Sequence, residues 1–347
     1  MSRLRVAFIG GGMMAQVGHI PFFVEDPRCD VAAVCESRPS LIQALTARFA
    51  PIPIVASHDE ILADPTIDAV VISVPRPATG PMVLRALEAG KHVISEKPMA
   101  HDLPQAHRLV TAAASRALSY DVGFMKRYDG GVQAARRLVG DLRHDGRLGR
   151  LLAARCYNFS AEYAVVPPAH TRPRESRVAR FSEWPTAPEW LATRLHASYA
   201  WFMNVFCHDI NLMRFLLGDN LAVVGGHRPN ERTVVGLFQC DDVAVTLETA
   251  KAAIGHWAEG AEFLFESGRV TLLLPSPMAT GQVAQIAVDA RGGAAPLVPP
   301  AVPGWQFKRQ AGAFIAALTG GEPSLSPGSD CLNDLALIED LWRLLND

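Results

Sequence analysis

The strongest constraint on the fold is a glycine turn set directly behind a short apolar run near the N-terminus. Residues 4–9 (Leu-Arg-Val-Ala-Phe-Ile) are β-prone and end at Gly10-Gly11-Gly12-Met13-Met14-Ala15. A buried parallel strand has this largely apolar character. In the pattern Gly10-x-Gly12-x-x-Ala15, Gly10 permits a tight turn and Gly12 lets backbone approach a pyrophosphate. Ala15 allows close packing of the helix that follows. The helix start offers free N–H groups and a positive dipole end to phosphates. The pattern alone is a weak signal. Placed after a first strand, and with an acidic residue ending the second, it predicts a dinucleotide site whose contacts include Gly10, Gly12, Met13, Met14 and Ala15.

Strand and helix alternate up to about Phe124. Strands are predicted at Asp30–Cys35, Ala69–Val74, Val93–Ser95 (the fourth) and Ser119–Phe124, with helical stretches between them. This alternation predicts an α/β fold, a Rossmann-type doubly wound parallel sheet over residues 1–124. Beyond it the pattern changes. A helix at Val132–Asp141 precedes β-rich runs at Leu151–Phe159, Ala222–Gly225, Thr233–Cys240, Val243–Thr249, Glu262–Glu266 and Gly268–Leu274. One long helix is predicted at Tyr199–Leu217, and two more close the chain at Phe307–Leu318 and Cys331–Leu345. Residues 125–347 therefore read as an α+β domain with a mostly antiparallel, open-faced sheet, the closing helices being free to pack back on the first domain. The segment Val165–Phe181 is rich in Pro and Arg (Arg172, Arg174, Arg177, Arg180) and reads as a solvated loop or a substrate lid.

Composition excludes several classes. A net charge of -2 lacks the basic footprint of a nucleic-acid binder. No apolar run reaches the roughly 20 residues of a membrane span, and no signal peptide is read. The six cysteines are scattered, without C-x-x-C spacing, so neither a disulfide framework nor a metal site is expected. Reduced thiols in a cytoplasmic protein are the plain reading.

Glu36 is the acid that ends the second strand. A carboxylate there accepts from a ribose diol and repels a 2′-phosphate, which predicts NAD, with NADP less favoured. Arg38 complicates this, since a guanidinium can pair with a 2′-phosphate or stack on adenine, or simply be solvated. Ser37 and Pro75 lie on the same predicted sheet edge. So does Glu96-Lys97-Pro98, which ends the fourth predicted strand. From that edge Lys97 is placed to hold a hydroxyl or steady a developing alkoxide; its bland alternative is a surface ion pair.

The chain resembles the glucose–fructose oxidoreductase / inositol dehydrogenase / MocA-type (Gfo/Idh/MocA) family. The resemblance rests on the glycine turn, the run Ala-Gly-Lys-His-Val-Ile-Ser-Glu-Lys-Pro at 89–98 and the stretch 122–128 (Val-Gly-Phe-Met-Lys-Arg-Tyr). Gly146-x-Leu148-Gly149 and the closing pattern Phe307…Phe314…Gly321-x-Pro323…Asp330 also carry it. It implies NAD(P)-linked oxidation or reduction of sugars, cyclitols and related polyols. It implies that Lys97 contacts the reacting hydroxyl and that Pro98 helps seat the nicotinamide. It also implies assembly into homodimers or homotetramers.

Asn204, His208 and Asn211 are spaced i, i+4, i+7 and so share one stripe of the predicted long helix. His208 matches the histidine of the family's D-x-x-x-H motif, where an imidazole takes the hydroxyl proton; the alternative is a satisfied core histidine. The family's aspartate falls on Asn204, which orients a substrate but does not ionise. Tyr199 and Trp201 are candidates to stack on a sugar ring, or core packing. Arg127 and Tyr128 are substrate-side candidates, Arg127 having an interdomain ion pair as its alternative. The expectation is thus an NAD-dependent oxidoreductase of a secondary alcohol or ketone on a sugar, cyclitol, aminosugar or nucleotide sugar, with catalytic Lys97, His208 and Asn204. Two alternatives stand beside it: an NAD-dependent glycoside hydrolase of the same family, and a non-catalytic NAD-binding sensor.

Overall fold

The computed structural model describes residues 3–159, 165, 167–175, 181–291 and 297–346. Arg177 and Arg180 lie outside them. The chain divides into two compact units. The first comprises Met1–Phe124, Pro167–Thr186 and Phe307–Leu332; the second comprises Met125–Val166, Ala187–Gln306 and Asn333–Asp347.

The first unit is built on six strands: β1 (Leu4–Ile9), β2 (Cys29–Cys35), β3 (Ile54–Val55), β4 (Ala69–Ile72), β5 (His92–Ser95) and β6 (Tyr120–Val122). They pair in parallel in the order β3-β2-β1-β4-β5-β6. This is the doubly wound order, in which the chain reverses direction across the sheet between β1 and β4. Helices α1 (Ile20–Glu25), α2 (Pro39–Phe49), α3 (His58–Ala63), α4 (Arg76–Glu88) and α5 (Leu103–Ala114) connect the strands. The two-residue β3 is too short to show in the sequence pattern, so the run expected to be the fourth strand is the fifth. All four residues of β4 are buried, as a strand covered on both faces requires. Phe8, Phe23 and Phe314 anchor the apolar core, with Phe8 and Phe23 meeting edge to face at 5.4 Å.

Edge strand β6 is closed off by the segment that follows α9 (Gln306–Leu318). Ser326 accepts from the Val122 amide at 2.9 Å and donates its hydroxyl to the Val122 carbonyl at 2.8 Å. Asp121 on this strand is 3 % exposed, and burial pushes its carboxyl up to about 7 against a hydrogen bond from Ser324.

The second unit holds a seven-stranded sheet. Its strands are β7 (Leu151–Asn158), β8 (Leu221–Asn230), β9 (Thr233–Cys240), β10 (Val243–Ala250), β11 (Glu259–Phe265), β12 (Gly268–Leu273) and β13 (Gln285–Ala290). Their order is β13-β12-β11-β7-β10-β9-β8. Only the β7–β10 pair is parallel. Helices α6 (Gly130–Asp145), α7 (His196–Val205), α8 (Cys207–Leu217) and most of α10 (Gly328–Leu344) belong to this unit. Asp129 caps α6, accepting from Gly131 and Val132 and also from Ala284 at 3.0 Å, so the cap ties the helix to a distant loop.

The single helix expected at 199–217 is two helices. Phe206 ends α7 and begins α8 at φ -86°, ψ -5°. Its ring is buried against Phe202. Trp342 is fully buried and receives Tyr199 and Phe202 edge-on at 5.2 and 5.7 Å. All six cysteines are buried thiols.

Two stability outcomes follow. Trp342→Ala is expected to cost about 3–5 kcal/mol, read as a lower midpoint in urea. Asp121 has a folded pKa above the roughly 3.9 of an unfolded aspartate, so its folded form holds a proton that the unfolded chain releases between those values. Its contribution to stability therefore falls as pH rises through that window and is at its lowest above it. Asp121→Asn should raise Tm, by more at pH 8 than at pH 5, in paired melting curves.

Candidate active site

Within the first unit the expected coenzyme residues line up along one edge of the sheet. Gly10–Gly12 follow β1, Glu36–Arg38 follow β2, Pro75 follows β4, and Glu96–Pro98 follow β5. All four strands are parallel, so these loops share the carboxyl edge, where open α/β sheets bind ligands. Gly10 has φ +101°, and a side chain there would run into the Ser73 carbonyl. Above Gly12, by contrast, no atom of the described residues other than its chain neighbours lies within 4 Å of where a Cβ would stand. That open space at the start of a helix is the cradle a pyrophosphate needs, and a methyl group would fill it. Met13 and Met14 are half-buried, and Ala15 is fully buried at the start of a π-helical turn, Ala15–His19.

Glu36 is 4 % exposed and accepts from five donors. Oε1 takes the amides of Ser37 (2.8 Å) and Arg38 (3.0 Å) and Arg38 Nε (2.9 Å); Oε2 takes Arg38 Nη2 (2.6 Å) and the Gly11 amide (3.2 Å). Burial works against its charge, but the Arg38 guanidinium and the backbone donors hold it below the usual carboxylate range. Arg38 is therefore not simply solvated: it forms a bidentate ion pair with the acid that was expected to decide the coenzyme.

Glu96 is anchored by His19, 2.8 Å away, and by its own amide on the Ile72 carbonyl. Burial pushes its pKa up, but His19 and Lys97 outweigh that and keep it low. Lys97 is half-buried, Pro98 is buried, and the peptide between them is cis.

In the second unit the expected stripe is divided by the break at Phe206. Asn204 lies half-buried on α7, whereas His208 is in the first turn of α8 and 8 % exposed. Asn211 is 1 % exposed and takes part in a buried network. Its Oδ1 accepts from Arg127 Nε at 2.9 Å, its Nδ2 donates to Asp334 at 2.6 Å, and Arg214 donates to Asp334 at 2.6 Å. Arg127, Tyr128 and Asn211 are all buried, and the Arg127 and Asn211 side chains are engaged with each other and with Asp334 within this unit. Tyr199 is likewise core, packed on Trp342. Trp201 differs. It is half-buried, Lys251 stands 4.0 Å over its ring, and its buried Nε1 has no hydrogen-bond partner among the described residues.

A cluster beside His208 escapes the sequence reading. Lys126 is buried between Glu259 and Asp209, the latter 3.8 Å away. Asn158 donates to Asp209 at 3.1 Å, and Trp257 donates to Glu259 at 2.9 Å. Burial raises the Asp209 pKa well above the ordinary value despite Lys126, with Glu259 adding to the rise. The signal available in the sequence was the pair Lys126-Arg127, two adjacent cations with no local acid but Asp129. Among the described residues no His, Cys, Asp and Glu gather as a metal site, and no helix is long and apolar enough to cross a membrane.

Residues 4–124 match the family described as "Oxidoreductase family, NAD-binding Rossmann fold". An uncharacterized oxidoreductase of Schizosaccharomyces pombe is 32% identical over 154 residues, which is 44% of this chain but only 41% of that protein's length. The dTDP-3,4-didehydro-2,6-dideoxy-alpha-D-glucose 3-reductase of Actinomadura kijaniata is 25% identical over 342 residues, 97% of this chain and 94% of the relative. In fold, the chain is similar to KijD10, a 3-ketoreductase from Actinomadura kijaniata solved with NADP and TDP-benzene. The TM-score is 0.74 at 24% identity, covering 98% of this chain and 97% of that one. Glu36 is already paired with Arg38, which removes the ground for ranking NADP below NAD.

The glycines separate folding from binding. Gly10→Ala should destabilise the fold by about 1–3 kcal/mol, seen as a lower Tm. Gly12→Ala should leave Tm unchanged but weaken dinucleotide binding about tenfold or more, measured by nucleotide fluorescence titration.

Proposed function

We propose that the chain, whose residues 4–124 match the oxidoreductase family with an NAD-binding Rossmann fold, is an NAD(P)-dependent oxidoreductase of a sugar, cyclitol or nucleotide sugar. The observation that carries this reading is the open cradle over Gly12, on the same sheet edge as Glu36, Arg38 and Lys97. The name of the Actinomadura relative, a reductase of a dTDP sugar, supports including nucleotide sugars.

In this reading the first-turn N–H groups after Gly12 hold the pyrophosphate, and Glu36 with Arg38 meets the adenosine ribose. The bound coenzyme supplies a hydride acceptor or donor at its nicotinamide. Lys97 holds the substrate oxygen, its ammonium favouring the negative charge that gathers there as the C–H bond breaks. His208 takes the hydroxyl proton in oxidation and returns it in reduction. Asn204 orients the ring through its amide, and Trp201 offers an indole face and an N–H donor to a sugar.

Self-association accompanies this reading. Leu237, Leu264 and Leu273 of the second-unit sheet are each nearly half exposed, an apolar set suited to another copy of the chain. Light scattering should give the mass of a dimer or tetramer, and Leu264→Lys should shift it toward the monomer.

The decisive measurement is absorbance of the reduced nicotinamide with a panel of polyols, sugars and nucleotide sugars, run with both coenzymes. Lys97→Ala should lower turnover about 100-fold or more while the dinucleotide still binds. His208→Gln should also lose the limb of the pH–rate profile that reports the base. Turnover near wild type in Lys97→Ala would remove the assignment. Dinucleotide binding without turnover of any substrate would favour the sensor reading.

A further inference from the structure

The segment 167–175 is separated in sequence from the sheet it lies on, yet it belongs to the first unit. It is fastened at three points, one at the last turn of α2 and two beside the coenzyme edge. The Ala169 carbonyl accepts from Arg48 at 3.0 Å. Thr171 exchanges two hydrogen bonds with the side chain of Gln16, at 2.8 and 3.1 Å. Glu175 accepts from both the amide (2.8 Å) and the hydroxyl of Ser40, and the Arg174 amide donates to that hydroxyl. Gln16 is 1 % exposed and also donates to the Gly11 carbonyl, so one buried amide clips the strap to the glycine turn.

The chemistry at the Glu175 end is specific. Ser37, Arg38 and Ser40 open α2 with hydroxyls, a guanidinium and first-turn amides, a donor set suited to phosphate. Arg38 is where a 2′-phosphate would be met in a fold of this type. A carboxylate from the chain itself already occupies the Ser40 donors. The Ser40 hydrogen bonds hold Glu175 below the usual carboxylate range, so it stands there as an anion. Its field also adds to that of Glu36 in strengthening the charge on Arg38.

We propose that Glu175 sets the choice between NAD and NADP by standing in for the ribose 2′-phosphate at Ser40 and Arg38. The proposal rests on the reading of the Gly10–Ala15 edge as a dinucleotide site and adds to it a residue far away in sequence. With the strap seated, its carboxylate completes the donors of α2, and a coenzyme with a free 2′-hydroxyl is accommodated. NADP must displace Glu175 from Ser40, exchanging one anion for another on the same donors. Glu36 is then the fixed acid of the pocket, and Glu175 the removable one.

The test is fluorescence titration of NADH and NADPH with the full chain, comparing wild type, Glu175→Gln and Glu175→Lys. Glu175 is partly exposed and far from the apolar core, so both variants should fold, which melting curves check. The Gln variant should tighten NADPH relative to NADH by about tenfold, and the Lys variant by more. Both gains should shrink in high salt. An unchanged ratio overturns the proposal, and so does equal weakening of both coenzymes, which would make the strap merely structural. If wild type binds neither coenzyme, the dinucleotide reading fails and the proposal falls with it.

Discussion

Two adjacent buried cations organise the second unit. Lys126 reaches Glu259 on β11 and Asp209 on α8; Arg127 reaches Asn211 on α8 and Asp334 on α10. Charges withdrawn from water are tolerated only when paired and hydrogen-bonded, and removing one partner strands the other. A lysine facing two carboxylates leaves an excess of negative charge, and burial with Glu259 raises the Asp209 pKa in the direction that relieves it. Strand, turn and helices are therefore held in one arrangement by partners that cannot be exchanged singly. α8 is fastened on both sides of its first turns, which gives His208 a fixed seat. Asn204 belongs to a different helix.

The coenzyme edge is organised by the opposite means, small residues and backbone. Gly10 fits because nothing larger clears the Ser73 carbonyl, and Gly12 matters for the space it leaves. Glu36 is held by backbone amides as much as by Arg38, so its position is inherited from the turn between β2 and α2. A ribose that binds there exchanges hydrogen bonds with existing donors and does not find a vacant acceptor.

The first sheet was legible because a buried parallel strand and a glycine turn leave local signatures. The residues at 4–9, 10–15 and 69–74 carry them without help from the rest of the chain. What was not legible depends on distant partners. Phe206 looks like any other apolar residue of a long helix, and its residue type does not mark the break between α7 and α8. Asn211 on an apolar helix signals that something polar meets it, but spacing does not say that this is Arg127 and Asp334. Thr171 and Glu175 carry no local signal at all, since Gln16 and Ser40 stand far back in the sequence. Lone β3 and the peripheral β13 are too weakly patterned to separate from loop.

The burial of every cysteine gives the molecule a property unrelated to its chemistry. Burial pushes the Cys29 thiol up to about 12, which suppresses the thiolate on which alkylating and oxidising reagents act. The thiols lie in both units, with Cys29, Cys35 and Cys331 in the first and Cys156, Cys207 and Cys240 in the second. Attack on any one of them therefore awaits an opening of the structure around it. The sulfur atoms form a natural set of clocks, each timing the local unfolding of its own neighbourhood.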